Sequence, residues 1–169
     1  MKRIAPFLTA LAVLTASALQ AEDVEVSGLT FTKPEGWKNE KPSSQMRKAQ
    51  FSVGEGDKAG EVVFFYFGQG GAGGVDANVK RWYGQFKGGA EKGKSEKAKA
   101  AGVPVTYVTT EGTYLSGPPR GPKVEKADYA LLGAIVESKE GAIFIKFTGP
   151  KATVEGATEA FKKMVGAAK

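Results

Sequence analysis

The chain has 169 residues, 24 of them Lys or Arg and 18 Asp or Glu, a formal net charge of +6, and neither His nor Cys. That length is enough for one domain with a substantial buried core. Without His and Cys, the commonest general base, the thiol nucleophile, every disulfide and the usual zinc and copper ligands are excluded. Any chemistry would fall to carboxylates, Lys, Tyr or Ser.

Met1-Lys2-Arg3 precedes an apolar and small stretch from Ile4 to Leu19, and Ser17-Ala18-Leu19-Gln20-Ala21 ends in a small residue before Glu22-Asp23. This pattern predicts a secretory signal peptide over residues 1–21, cleaved after Ala21, with residues 22–169 as a single secreted or periplasmic domain. The apolar part is too short and too rich in Ala and Thr for a membrane span, so no stable membrane insertion is expected after cleavage. Loss of Lys2 and Arg3 lowers the net charge by two and leaves a mildly basic protein. That balance does not demand a nucleic acid or other polyanion as partner.

Val24, Val26, Leu29 and Phe31 alternate with polar residues around Gly28, as an edge strand or as two short strands meeting at a bend. Pro34-Glu35-Gly36 is a turn, and Trp37 after it is placed to close one end of the core. From Met46 to Val53, Ala49, Phe51 and Val53 share one face of a half-buried strand. The run Glu61 to Phe67 is β-branched or aromatic on both faces after its first residue, which predicts an interior strand. After the glycines Gly68, Gly70, Gly71, Gly73 and Gly74 the period changes. Val79, Trp82, Tyr83 and Phe86 fall at i, i+3, i+4 and i+7, predicting an amphipathic helix over 76–87 with Asp76 as its N-cap. Residues 88–102 are low in complexity and read as a solvated connection with room for a turn of helix.

Val103 to Leu115 reads as one long strand or two short ones, with Gly112 as a bulge, and Ser116 to Pro122 as an exposed loop. Tyr129 to Val136 and Ala142 to Phe147 form a hairpin about Ser138 to Gly141, and Thr153 to Ala168 closes the chain as a helix with Val154, Phe161, Met164 and Val165 inward. The order describes an α+β domain, an antiparallel sheet with helices packed on it.

The opening unit Leu29-Thr-Phe31-Thr-Lys-Pro34-Glu-Gly-Trp37, followed by that sheet, resembles the PsbP-like (Mog/PsbP) α-β-α sandwich superfamily. The terminal strands Tyr129 to Val136 and Ile143 to Phe147 with the closing helix are similar to the same family. The blocks Pro42 to Arg47 and Asn78 to Trp82 are also similar to exported bacterial proteins without an assigned activity. The resemblance implies a non-enzymatic role, since photosynthetic members support the calcium and chloride needs of the oxygen-evolving complex without catalysing a reaction. Their proposed His ligands have no counterpart here, and no metal or other cofactor is expected. A fold does not by itself fix a function.

Two local features stand out as ligand-holding candidates. Gly68-Gln69-Gly70-Gly71-Ala72-Gly73-Gly74 lies between a buried strand and a helix N-terminus, where free amides can hold an anion. It matches neither a dinucleotide fingerprint nor a P-loop, and a plain structural loop is the competing reading. Arg47, Lys48, Lys80 and Arg81 form a basic surface if their strand and helix lie side by side, or an ordinary solvated face if they do not. The site residues expected are therefore Arg47, Gly70, Gly71, Gly73, Gly74 and Arg81, with no catalytic and no metal residues. Asp57, Glu61, Asp76, Glu111 and Asp128 show no spacing that forces a carboxylate pair. The function expected is an exported, monomeric, non-enzymatic domain that binds a protein partner or small ligand. The alternatives are a hydrolase using carboxylate or Ser-Lys chemistry and a binder of envelope polymers or polyanions.

Overall fold

The computed structural model describes residues 23–118 and 120–169, so the predicted signal segment lies outside the described residues. The elements in order are β1 (Asp23–Val26), β2 (Leu29–Thr32), β3 (Lys38–Asn39), β4 (Arg47–Val53), β5 (Gly60–Tyr66), α1 (Val75–Tyr83), α2 (Gly89–Lys92), β6 (Lys94–Ala100), β7 (Val103–Ser116), β8 (Val124–Ser138), β9 (Gly141–Pro150), α3 (Lys151–Gly156) and α4 (Thr158–Gly166). Strands β1 and β2 pair with each other, and the other seven form one antiparallel sheet in the order β3-β4-β5-β9-β8-β7-β6. The architecture is the expected α+β one. Among the described residues no helix is long and apolar enough to cross a membrane.

Strand alternation divides the sheet's side chains between two faces. The first face carries Val62 and Phe64 of β5, Ile143, Ile145 and Phe147 of β9, Leu132, Ala134 and Val136 of β8, and Val105 of β7. The β1–β2 hairpin covers it through Val26, Leu29 and Phe31, and α3 and α4 through Val154, Phe161, Met164 and Val165. Phe31 meets Phe64 edge-on at 5.3 Å, and Trp37 lies 6.1 Å from both Phe51 and Phe147, closing that end as its position after the turn predicted. Full burial of each such side chain stabilises the fold by roughly 1.5–3 kcal/mol.

The second face is covered by α1 and the segment that follows it: Val79 and Trp82 of the helix and Phe86 beyond it pack on Val108, Leu131, Ile135 and Phe144. Trp82 rests directly on the backbone of β8, where a Cβ on Gly133 would come within 2.1 Å of its ring. Glycine at that position is a condition of the packing.

Four sequence expectations are corrected. The first helix ends at Tyr83, before Gly84, and its N-cap is Gly74, with no side chain capping it; Asp76 is a first-turn residue. Residues 85–87 instead pair with β7, Lys87 N–H donating to Thr113 at 3.0 Å and Leu115 N–H to Gln85 at 2.8 Å. Phe86 is buried through this pairing, which mimics the helical period. Residues 88–102 hold a turn of helix, α2, but their remainder is the edge strand β6 and not a solvated connection. A rim strand with both faces near water needs little apolar content, and only Ala98 and Ala100 of β6 pack on the core. The C-terminal helix is two helices, interrupted after Gly156 at Ala157 (φ −104°, ψ 5°), which leaves all four predicted inward residues buried.

Gly112 does mark a break in register between β7 and β8, and Ser138 pairs with Gly141 across the hairpin turn. Of the two readings of the first strand region, two short strands joined at Ser27-Gly28 is the one adopted.

Candidate functional site

Because α1 is only nine residues long, it leaves part of the second face uncovered. There the register aligns Ser52, Glu61, Thr148 and Leu131 in one row, and Gln50, Val63, Lys146 and Gly133 in the next. Most of these are polar, on strands whose other face is apolar.

Glu61, Arg47 and Gln50 close a triangle of hydrogen bonds. Arg47 Nη1 donates to Glu61 Oε1 at 2.9 Å and to Gln50 Oε1 at 3.0 Å, and Gln50 Nε2 donates to the same Glu61 oxygen at 2.8 Å. The Arg47 guanidinium also lies 5.5 Å from the centre of the Phe65 ring. Fixing a fork-shaped cation against a carboxylate and a ring removes most of its freedom, so the triangle is preorganised.

Lys146 projects from the interior strand β9 and donates to Gln85 Oε1 at 3.0 Å, with its ammonium 5.9 Å from the centre of Tyr114. Burial pulls the ammonium down from the ordinary lysine value to about 8; nearby Glu61 opposes this and Arg47 adds to it. Burial likewise pushes the Tyr114 phenol up, with Glu61 adding to the effect. Tyr114 and Tyr129 stack nearly parallel at 5.9 Å, and Lys126 lies 5.4 Å from the centre of Tyr129.

Gln50, Glu61, Tyr114, Lys126 and Tyr129 line a basin of about 420 Å³ together with Ser52 and Thr148; Arg47 and Lys146 stand behind this lining, next to Glu61 in the field they exert. Thr148 is only 8% exposed, and among the described residues its hydroxyl is the buried side-chain polar atom that lacks a hydrogen-bond partner. Such a group costs about 1–3 kcal/mol when nothing satisfies it. An unpartnered hydroxyl on the floor of a concave, polar basin makes this the candidate place for a ligand.

A second cavity of about 460 Å³ opens beside α3, with Lys92, Lys94, Glu111 and Glu155 in its lining. Its carboxylates and its buried hydroxyl are already engaged: Lys151 pairs with Glu111 at 2.8 Å and with Glu155 at 3.8 Å, and the Thr110 hydroxyl donates to Gly89 O at 2.8 Å, so among the described residues this lining has no orphaned buried polar group. The larger volume therefore carries the weaker chemical signal.

Of the residues expected from sequence, Arg47 belongs to the basin's triangle, the four glycines lie in the loop that ends at the start of α1, and Arg81 lies in the last turn of α1. Gly70 (φ 72°) and Gly73 (φ 75°) adopt left-handed backbone that favours glycine, a Cβ on Gly71 would collide with the Phe67 carbonyl, and Gly74 begins the helix. Buried Asn78 ties this loop down, its amide donating to Ala72 O and Gly74 O, each at 3.0 Å. Arg81 donates to Asn78 Oδ1 at 2.6 Å. Arg47 and Arg81 thus hold different partners, each with a local structural role.

Lys146, Thr148, Tyr114 and Tyr129 escaped the sequence analysis as site residues. The available signal was Lys146 itself, a charge in the otherwise apolar run Ile143-Phe-Ile-Lys-Phe147 of an interior strand. Thr148 gave none, because an orphaned hydroxyl is a property of the assembled sheet.

No family model and no curated protein matches the chain by sequence. Among solved structures, cyanobacterial PsbP (CyanoP) from Synechocystis sp. PCC 6803 is similar over 96% of this chain and 98% of its own, with a TM-score of 0.53 at 14% identity. A Bacteroides thetaiotaomicron protein matches over 86% of this chain and 46% of its own (TM-score 0.46, 12% identity). A Pseudomonas aeruginosa protein of unknown function, described as a putative regulator, matches over 84% and 91% (TM-score 0.44, 11% identity). The first similarity establishes a PsbP-like fold, as the opening and terminal motifs implied.

Proposed function

We propose that the chain is an exported, non-catalytic domain that binds a small ligand in the basin on the second face of its sheet. The observation that carries this reading is the buried, partnerless Thr148 hydroxyl on the basin floor, beside the preorganised Arg47–Glu61–Gln50 triangle. Export rests on the basic, apolar and small-residue pattern of residues 1–21. The loop from Gly68 to Gly74, with Arg81, is the weaker place for a ligand, because the Gly71 N–H already donates to Gly68 O, Arg81 donates to Asn78, and each glycine but Gly74 has a turn or packing role.

A hydrolase reading has in its favour that Glu61, in the basin's lining, and Lys146, behind it, influence each other's charge. Against it, Glu61 is held by Arg47 and Gln50 and Lys146 by Gln85, and no hydrogen bond among the described residues joins a serine hydroxyl to either. Screening a fragment library against residues 22–169 by NMR tests the proposal. Binders should shift the resonances of Gln50, Tyr114, Tyr129 and Thr148, and Tyr129→Ala should weaken them at least tenfold. Binders confined to Gly68–Gly74 and Arg81, or turnover of a substrate lost in Glu61→Gln, would overturn it.

A further inference from the structure

The charges around the basin are unbalanced. Lys146 on β9 faces Glu61 of β5, Arg47 and Gln50 of β4, Gln85 after α1, and Tyr114 of β7. Within this group the cations Arg47 and Lys146 share one carboxylate, Glu61. At the rim, Lys126 and Glu40 line the basin with opposite signs, and Tyr129 carries a phenol between them and the floor. The inner end is left with a surplus positive charge in a partly desolvated place, where Coulomb attraction for an anion is several times stronger than in water.

The donors are unbalanced as well. Lys146 gives one hydrogen bond to Gln85, although an ammonium carries three N–H groups. The Thr148 hydroxyl is two residues further along β9 on the same face, about 6–7 Å away along the strand, and donates to nothing. A lysine side chain easily spans that distance.

We propose that the basin's ligand is a small molecule bearing an oxyanion, a carboxylate or a phosphate, which accepts from the Thr148 hydroxyl, draws on the positive field of Arg47 and Lys146, and lays its body along Tyr114 and Tyr129. This rests on the reading of the basin as a ligand site and adds the charge of what fills it. An oxyanion supplies the missing acceptor for Thr148 and neutralises the surplus cation in one step. A neutral ligand does only the first, and a cation is repelled.

The charge state of Lys146 makes the idea measurable. Its ammonium loses its proton around pH 8, so the attraction is complete below that pH and lost above it. A site that needs one protonated group with that value loses about tenfold in affinity between pH 7 and pH 9.

The test is calorimetric titration of residues 22–169 with benzoate, its uncharged isostere benzamide, and inorganic phosphate, with NMR shifts at Thr148 to place each one. Benzoate or phosphate should bind in the basin, with benzamide at least tenfold weaker than benzoate; which anion binds tells a carboxylate site from a phosphate site. Benzoate affinity should fall about tenfold from pH 7 to pH 9. Lys146→Met should remove most of the affinity, and Lys146→Arg, charged at both pH values, should bind with a flat pH profile. Equal binding of benzoate and benzamide in the basin would remove the oxyanion and leave the ligand site standing. Failure of both anions to reach the basin would also overturn the oxyanion, and probes gathering at Gly68–Gly74 instead would overturn both readings.

Discussion

The two faces of the large sheet are built from the same strands and behave in opposite ways. β9 contributes Ile143, Ile145 and Phe147 to the first face, all fully buried, and Phe144, Lys146 and Thr148 to the second. The first face is sealed by a hairpin and two helices; the second has the nine-residue α1 with the short segment and α2 that follow it, which reach only part of it. The difference teaches that the parity of a residue in an interior strand decides which of two differently covered faces it joins. What lies above each row then decides whether a polar group there is solvated, satisfied or orphaned.

Three substitutions probe that division, and the largest effect belongs to the sealed side. Phe161 is fully buried and stacks 6.3 Å from Phe147, so Phe161→Ala should cost about 3–5 kcal/mol in urea unfolding. A cost below about 1 kcal/mol, in the range of an ordinary surface substitution, would mean that the C-terminal helices do not close the first face. On the covered half of the second face, Gly133→Ala drives a methyl group into the Trp82 ring and should cost about 1–3 kcal/mol. If the midpoint does not move, α1 rests on the sheet more loosely than its contacts imply.

The smallest effect should have the opposite sign. Thr148→Val keeps the shape and deletes the partnerless hydroxyl, so the chain should become more stable by up to about 1 kcal/mol while ligand binding weakens. A loss of stability would mean that the hydroxyl is satisfied in solution and that the basin is less of a site than it looks.

Much of the sealed face could be read in advance. Phe64, Phe51, Trp37 and Phe161 announce themselves by alternation, by position after a turn or by helical period, and each is buried. Where the signal was weak, the element was misread. Edge strand β6 needs only two alanines against the core, and its lysines resemble a disordered tether; Phe86 has the spacing of a helix but reaches the core through a backbone pairing. The open half of the second face was the least legible. Arg47 was singled out for its charge, yet its partners Gln50 and Glu61 become neighbours only through the β4–β5 register, and Tyr114 meets Tyr129 only after the irregularity that follows Gly112. A glycine-rich loop attracts attention in a one-dimensional string. A basin assembled from five strands does not.

The two rims of the sheet have a consequence for the chain in a crowded compartment. One rim, β3, has only two residues, too few to recruit another strand. The other, β6, carries Lys94, Glu96, Lys97 and Lys99 on exposed positions, so a neighbour approaching to add itself would have to strip water from several charges. A protein with this much extended backbone is thereby kept from zipping into fibres, and the low-complexity stretch that looks idle in the sequence serves as its guard.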